Sequence, residues 1–527
     1  MTAQELPLKK QSIFQSIQFW MGCSLLVHLI TSWFSLGFLH YDEHFQILEF
    51  AGMKLGWNSP ASLPWEYPAK IRPALQPAMV YGIIKALHLT DSFTITFLLR
   101  LISGVFAWAV LWFFTYLVSP MLKSNTAKHY LYLLTCLYGF LSFIHVRFAS
   151  ENWSGSTCFL GIGILLLLWQ KASNYSLKNI WLLIAGFCFG LSYVFRMQVA
   201  VIPCSLVIWA LVFKKINFKD TFFIMLGGIV AVAIGVLADR WFYGTWVNTT
   251  FNYFHANIIE NKAAHFGIMP WYWFFVSTIL GEVPGALNWT MYLHKVEPFS
   301  AGSAFSIIVV ISFIVFWIRY PKHWLTAITL PFFLLHSLIA HKELRFLFPM
   351  INFVPIVVVM VITEFLDARN SLGLKSVKYI LSGLLLVLGF LSLNFIFTPY
   401  QNDFAAYKFM NNYKDQELYF LGYHKDCYQM KSDLKLLFYK PKGFHVKYIK
   451  SMTQVDSLLK QAKFPVYFYS GERGFFHPQP LDSIDVSYKM VYCSYPAFLR
   501  DININHWQER TSANGIYLLT PKTFRHE

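Results

Sequence analysis

The chain has 527 residues and is 56% hydrophobic and 19% aromatic but only 13% charged, about half of the roughly 25% charged share of a soluble globular protein. That balance excludes an ordinary soluble multidomain chain, and repeated apolar runs of about 18–25 residues point to a polytopic helical membrane protein. The net charge of +16 comes from Lys and Arg scattered through short loops, not from blocks or stripes, a distribution that argues against nucleic acid as a partner and fits the positive-inside rule.

In chain order, spans are predicted over 14–39, 94–119, 129–146, 155–170, 179–195, 197–213, 221–238, 303–318, 324–340, 346–365 and 378–398, about eleven in all. Lys9 and Lys10 precede an apolar run too long for a cleavable signal, so the first run is read as a retained span. The segment MPWYWFFVSTILGEVPGAL is interrupted by Pro, Gly and Glu282 and reads as an interfacial helix. With the N-terminus on the cytoplasmic side, the inward loops carry Lys123 and Lys128, Lys171 and Lys178, then KKINFK, RYPKHW and RNSLGLKSVK. The polar motifs HYDEHF, PWEYPAKIRP, HVRFASENWS, VFRMQ, DRWFYGTW and HKELRF then fall together on the opposite face.

Residues 1–399 are thus expected to form a multispanning membrane domain. Residues 400–527 change character: ELYFLGY, HVKYI, PVYFYS and GIYLLT alternate like strands, and VDSLLKQAKF reads as a helix. A small α/β domain on the outer face is expected there. Five of the seven cysteines fall in apolar runs. Cys427 and Cys493 lie in the C-terminal region, where a disulfide is open if the compartment is oxidising. The cysteines and histidines have no zinc spacing, no other metal ligand set stands out, and no cofactor is expected.

The outer motifs carry the chemistry. Adjacent Asp42 and Glu43 point different ways on most backbones, so one serves as general base and the other orients it, or both simply cap a helix starting near Phe45. PWEYPAKIRPALQP has four prolines, which make it a rigid loop presenting Glu66, Lys70 and Arg72; Arg72 is either a phosphate fork or an exposed charge. Arg147 and Glu151 are four apart, an ordinary helical ion-pair spacing. Arg196 sits between two apolar segments with almost nothing separating them, where an unpaired charge is costly, and this favours function. Asp239 and Arg240 are weaker candidates, since charges at a membrane edge snorkel. His341, Lys342, Glu343 and Arg345 form the densest cluster, net positive and suited to an anionic group. A base carboxylate and a phosphate-binding cluster on one face suggest group transfer from a lipid-phosphate donor. No Asp-x-Asp and no glycine-rich phosphate loop occurs, which counts against a nucleotide-sugar donor.

HYDEHFQILEF, PWEYPAKIRPALQP, FRMQVAVIP, DRWFYGTW followed by NKAAHFGIMPWYWFF, and HKELRFLFPM together resemble glycosyltransferase family 22, the Alg9-like and GPI mannosyltransferases. Within it the likeness is greatest to the enzymes that add the third mannose of GPI. The resemblance covers roughly residues 30–365. It implies a GT-C fold with the active site in outer or lumenal loops, a polyprenyl- or dolichyl-phosphate mannose donor, a lipid-linked glycan acceptor, and inversion to an α-mannoside. Carried over by position, Asp42 is the catalytic base with Glu43 beside it. His341, Lys342 and Arg345 hold the donor phosphate, with Arg72 and Arg196 as further candidates, and Gln46 and Glu343 contact substrate. Two positions depart from the family: Tyr41 stands where Pro usually precedes the Asp-Glu pair, and Leu344 where many members have a second Glu.

Two competing readings remain at this point, a transporter or flippase of a lipid-linked saccharide and an inactive scaffold. Most functional polar residues cluster at one face, whereas a transporter places them at mid-membrane. An integral multi-pass protein of either a bacterial inner membrane or the ER fits; the absence of an evident ER retrieval signal at TFRHE favours the bacterial envelope.

Overall fold

A computed structural model describes residues 16–171, 177–280, 301–367, 382–383, 385–390, 392–393, 396–397, 400–415, 417–423, 427–429, 434–441, 445–470, 479–494 and 514–521. Among them six helices are long and apolar enough to cross a membrane: Ile17–Phe34, Ser92–Met121, Ser150–Gln170, Lys178–Phe195, Phe218–Tyr243 and Leu344–Phe365. The chain is therefore a mostly helical multi-pass membrane protein. Helices Phe305–Arg319 and Trp324–Leu338 meet at 120°, and Met197–Val212 is a shorter apolar helix. The run expected over 129–146 divides into Asn125–Leu137 and Gly139–His145. Tyr138 breaks it with ψ 79°, and the freed Gly139 N–H donates to Ser392 Oγ at 2.9 Å. Much of the run expected over 378–398 lies outside the described residues, as do residues 281–300 at the end of the MPWYWFF segment, which opens with the helix Trp273–Leu280.

Aliphatic and aromatic side chains between these helices form one large core around Phe114, Phe159, Phe332 and Phe353. Lys178–Phe195 and Phe218–Tyr243 touch backbone to backbone. A Cβ on Gly186 would stand 1.9 Å from the Ile224 carbonyl oxygen, so only glycine admits this approach. Small residues at a contact are how apolar helices pack where lipid removes the hydrophobic drive between them.

The C-terminal region builds a five-stranded sheet of order β2-β1-β3-β5-β4. Its strands are β1 Tyr419–Tyr423, β2 His445–Ile449, β3 Val466–Ser470, β4 Val486–Cys493 and β5 Gly515–Pro521. β1 runs parallel to β2 and β3, while β5 is antiparallel to β3 and β4. Helix Thr453–Gln461 links β2 to β3. Alternation along the strands sorts their side chains onto two faces. Leu421, Phe468 and Leu519 pack with Met452 and Val455. Phe420, Tyr467, Tyr469 and Ile516 share a core with Phe38, Phe45, Phe404 and Tyr439. The second face thus lies against the loop that carries the acid pair. Glu49 strengthens that seam, its Oε1 accepting from His44 Nε2 at 2.8 Å and from the Phe438 N–H at 2.9 Å. Cys427 is buried and Cys493 half-buried, and the two are not joined among the described residues.

Candidate active site

The first exit folds as a helical turn, Tyr41–Glu43, that runs into a π-helix at His44–Leu48. π-bulges of this kind recur at functional sites. His40 is the cap: its backbone is extended and its Nδ1 accepts the Asp42 N–H at 3.2 Å. The helix therefore starts at Tyr41, earlier than a cap at Asp42 or Glu43 would require, and both carboxylates lie inside its first turn. They then diverge. Glu43 Oε2 reaches back to the Leu39 N–H at 2.9 Å, as an acid in a first helical turn does. Asp42 turns the other way and meets three cationic or titratable groups.

Arg345 Nη1 donates to Asp42 Oδ2 at 2.9 Å, Arg72 Nη2 stands 3.6 Å from the same oxygen, and His40 Nδ1 stands 3.3 Å from Oδ1. Arg345 also binds Glu151 Oε1 at 3.0 Å, and its Nε donates to Glu343 Oε2. Arg196 Nη1 binds the same Glu151 Oε1 at 2.9 Å. The result is an alternating chain, Arg72–Asp42–Arg345–Glu151–Arg196, assembled from five separate stretches of sequence. Branches leave it at Arg345, through Glu343, and at Arg72, through Glu66. His341 Nε2 lies 2.9 Å from Glu343 Oε1. Gln46 Nε2 donates to Glu66 Oε1 at 3.2 Å, and that oxygen lies 3.8 Å from Arg72.

Electrostatics separates the carboxylates. Burial works to raise Asp42, but Arg345, Arg72 and His40 outweigh it and hold the carboxyl well below the ordinary range. Glu343 is likewise opposed by burial, yet Arg345, His40 and His341 bring it down to about 2. Glu43 and Glu66 go the other way, because burial exceeds the help that Arg147 gives the first and Arg72 the second. Glu43, Glu151, Arg147, Arg345 and His40 line one small pocket together with Phe348.

Of the residues expected at the site, Asp42, Arg72, Arg196, Glu343 and Arg345 meet in the chain or touch it directly, and His341 and Gln46 adjoin it one partner away. Lys342 is not brought to the cluster: it is 3% exposed and its Nζ donates to the carbonyls of Met269 and Ile339. The Arg147–Glu151 pair expected from the spacing does not form, because Gly139–His145 ends before it and the next helix begins only at Ser150. Arg147 instead donates to the Gly37 carbonyl at 2.9 Å and to Ser35 Oγ, while Glu151 joins two other arginines. Glu151 is the residue that spacing concealed; the signal for it is a single carboxylate opening a long apolar helix. Asp239 is a clamp, accepting from the Ala74 N–H at 2.7 Å and Thr249 Oγ1 at 2.8 Å. It fixes the base of the Arg72 loop, whose Arg72 carbonyl also accepts from Tyr243 Oη at 2.8 Å.

The profile of the Alg9-like mannosyltransferase family matches residues 19–430. The chain is similar to GPI mannosyltransferase 3 of Gibberella zeae, at 22% identity over 67% of this chain and 61% of that one. It is similar also to GPI alpha-1,2-mannosyltransferase 3 of Homo sapiens, at 23% identity over 59% of this chain and 51% of that one. The chain thus spans about half to three fifths of the length of these two relatives. The structure of ArnT from Cupriavidus metallidurans bound to undecaprenyl phosphate aligns with 96% of this chain and 98% of that one, at 10% identity and a TM-score of 0.48.

Proposed function

Since this chain belongs to the Alg9-like mannosyltransferase family, we propose that it moves mannose from a polyprenyl- or dolichyl-phosphate donor to a hydroxyl of a lipid-linked glycan, with inversion to an α-mannoside. The observation that carries the reading is the 2.9 Å contact between Arg345 and Asp42, which are 303 residues apart in sequence. It joins a carboxylate suited to a base with a cation suited to a phosphate.

Asp42 takes the proton of the acceptor hydroxyl as that oxygen bonds to the anomeric carbon. The bond from that carbon to the phosphate oxygen breaks on the opposite side, and its electron pair leaves with the lipid phosphate. Arg345, Arg72 and Arg196, with His341 beside them, stabilise the growing negative charge. Without donor, Arg345 and Arg72 hold Asp42 charged and weakly basic. A phosphate that takes up those guanidiniums returns basicity to Asp42 when the donor is in place. Glu43 fixes the turn, and Gln46 and Glu343 contact substrate. An apolar groove lined by Phe274, Trp317, Phe333, Leu347 and Phe348 shares Phe348 with the small pocket beside Arg345 and suits a polyprenyl tail. The same reading gives the bundle a GT-C arrangement, with residues 400–527 as an outer-face domain in either a bacterial inner membrane or the ER. Membership of a transferase family weighs against the transporter.

The test is Asp42→Asn in membranes supplied with labelled polyprenyl-phosphate mannose. Loss of a positioned general base lowers transfer by roughly 10²–10⁴, with insertion and folding intact. Full turnover in that variant overturns the assignment of the base.

A further inference from the structure

We infer that Glu151 is a positioning residue of the transfer site, one carboxylate that fixes two guanidiniums at the separation from which they receive the donor phosphate. The inference rests on the transferase reading above and goes beyond it, because neither the motifs nor the family resemblance gave Glu151 a role.

Three observations carry it. First, one oxygen does the holding: Glu151 Oε1 lies 2.9 Å from Arg196 Nη1 and 3.0 Å from Arg345 Nη1. Two like charges brought to one place repel each other, and a shared negative atom offsets that repulsion by attracting both. Second, all three side chains are well shielded, at 6%, 9% and 11% exposure, so water replaces this contact poorly. Third, the backbone is built to bring them together. Glu151 opens the helix Ser150–Gln170, and Gly155, one turn on, has its would-be Cβ 3.0 Å from Pro349 Cα. Pro349 follows Arg345 by about one turn in the segment Leu344–Phe353. Glycine at 155 lets the two elements approach until Glu151 and Arg345 touch. Arg196 comes from the break between Lys178–Phe195 and the turn Met197–Ala200, where no regular helix dictates its direction.

A structural ion pair would need only one arginine. Here the same guanidinium that Glu151 holds also contacts Asp42, so the position of Glu151 is passed to the base through Arg345. Neutralising Glu151 leaves the site more positive, which keeps the anion bound but no longer holds Arg345 in register with Asp42. The expected signature is therefore split: kcat falls while the donor KM stays level or drops.

Full-length Glu151→Gln and Glu151→Asp are compared with the wild type in membranes, using labelled polyprenyl-phosphate mannose, with kcat normalised to folded protein. Glu151→Gln lowers kcat roughly tenfold or more, as a misplaced binding group does, without raising the donor KM; Glu151→Asp, which keeps the charge on a shorter arm, recovers part of it. Should Glu151→Gln fail to fold, Glu151→Asp decides alone, through a several-fold lower kcat at unchanged KM. A kcat within twofold of wild type in the folded variants overturns the inference while leaving the transferase reading intact. A wild type silent with this donor overturns both.

Discussion

Two polar networks cross this otherwise apolar molecule, and they differ in charge. Within the helices, His28 Nδ1 lies 2.7 Å from the Ser24 carbonyl, His28 Nε2 lies 3.0 Å from His145 Nδ1, and His145 Nε2 lies 2.7 Å from the Asn352 amide. The carbonyl of Ser24 only accepts, so His28 carries its proton on Nδ1 and accepts at Nε2. His145 must then donate from Nδ1, while its Nε2 faces Asn352 Oδ1. No carboxylate or guanidinium takes part in these contacts. At the outer face the groups alternate in sign and leave polar atoms over: Arg72 Nε, Arg196 Nε and Glu66 Oε2 are buried without a partner among the described residues. A chain of hydrogen-bonded groups without carboxylates or guanidiniums is what an apolar interior tolerates as scaffold. An open charged chain beside a pocket is what a site for an anionic substrate requires.

The largest way to break this contrast, after loss of the base itself, is Arg345→Lys. Its guanidinium meets Asp42 and Glu151 through Nη1 and Glu343 through Nε. A lysine keeps the charge but has no planar fork to reach three carboxylates. Transfer from labelled lipid-phosphate mannose should fall roughly 10²–10³-fold, as when an electrostatic stabiliser of a transition state is removed. Turnover within a few-fold of wild type would mean that charge alone, without geometry, is what the cluster supplies.

Much of this contrast was legible in the sequence, and the part that was not has a physical reason. Asp42 and Arg345 announced themselves because charges flanking apolar runs are costly unless used. Six expected spans match long apolar helices, since hydropathy reports burial in lipid or protein equally well. Glu151 was hidden because i,i+4 spacing to Arg147 mimics a helical pair, while the backbone between His145 and Ser150 is not helical. Lys342 shows the converse. It reads as one more cation of HKELR, yet its ammonium serves two carbonyls, and side-chain direction within a short irregular segment is not written in composition. Strand alternation was readable in the tail, but that the Phe420 face would close over Phe38 and Phe45 is a long-range pairing that no local pattern encodes.

A smaller effect separates scaffold from site. His28→Leu leaves the His145 Nδ1 proton without its acceptor in a buried position. An orphaned buried donor costs about 1–3 kcal/mol, so the thermal midpoint of the purified protein should drop while kcat per folded molecule stays within twofold. A fall in kcat that outruns the loss of folded protein would show that the His28–His145 chain takes part in transfer.

The smallest effect tests the charged chain by acid. Glu343 titrates at about 2 in the folded protein against about 4.3 in an unfolded chain, so folding favours its ionised form. The stability it adds is complete above about pH 4.3 and drains away as pH falls towards 2, because the unfolded state then takes up the proton first. Glu343→Gln lacks this contribution at every pH. The gap in thermal midpoint between wild type and Glu343→Gln should therefore be widest at pH 5 and above and narrow steadily as acid is added. A gap constant from pH 5 to 2 would mean that Glu343 is held by packing and hydrogen bonds indifferent to charge. The alternating pattern at the outer face would then be a matter of shape, not of electrostatics.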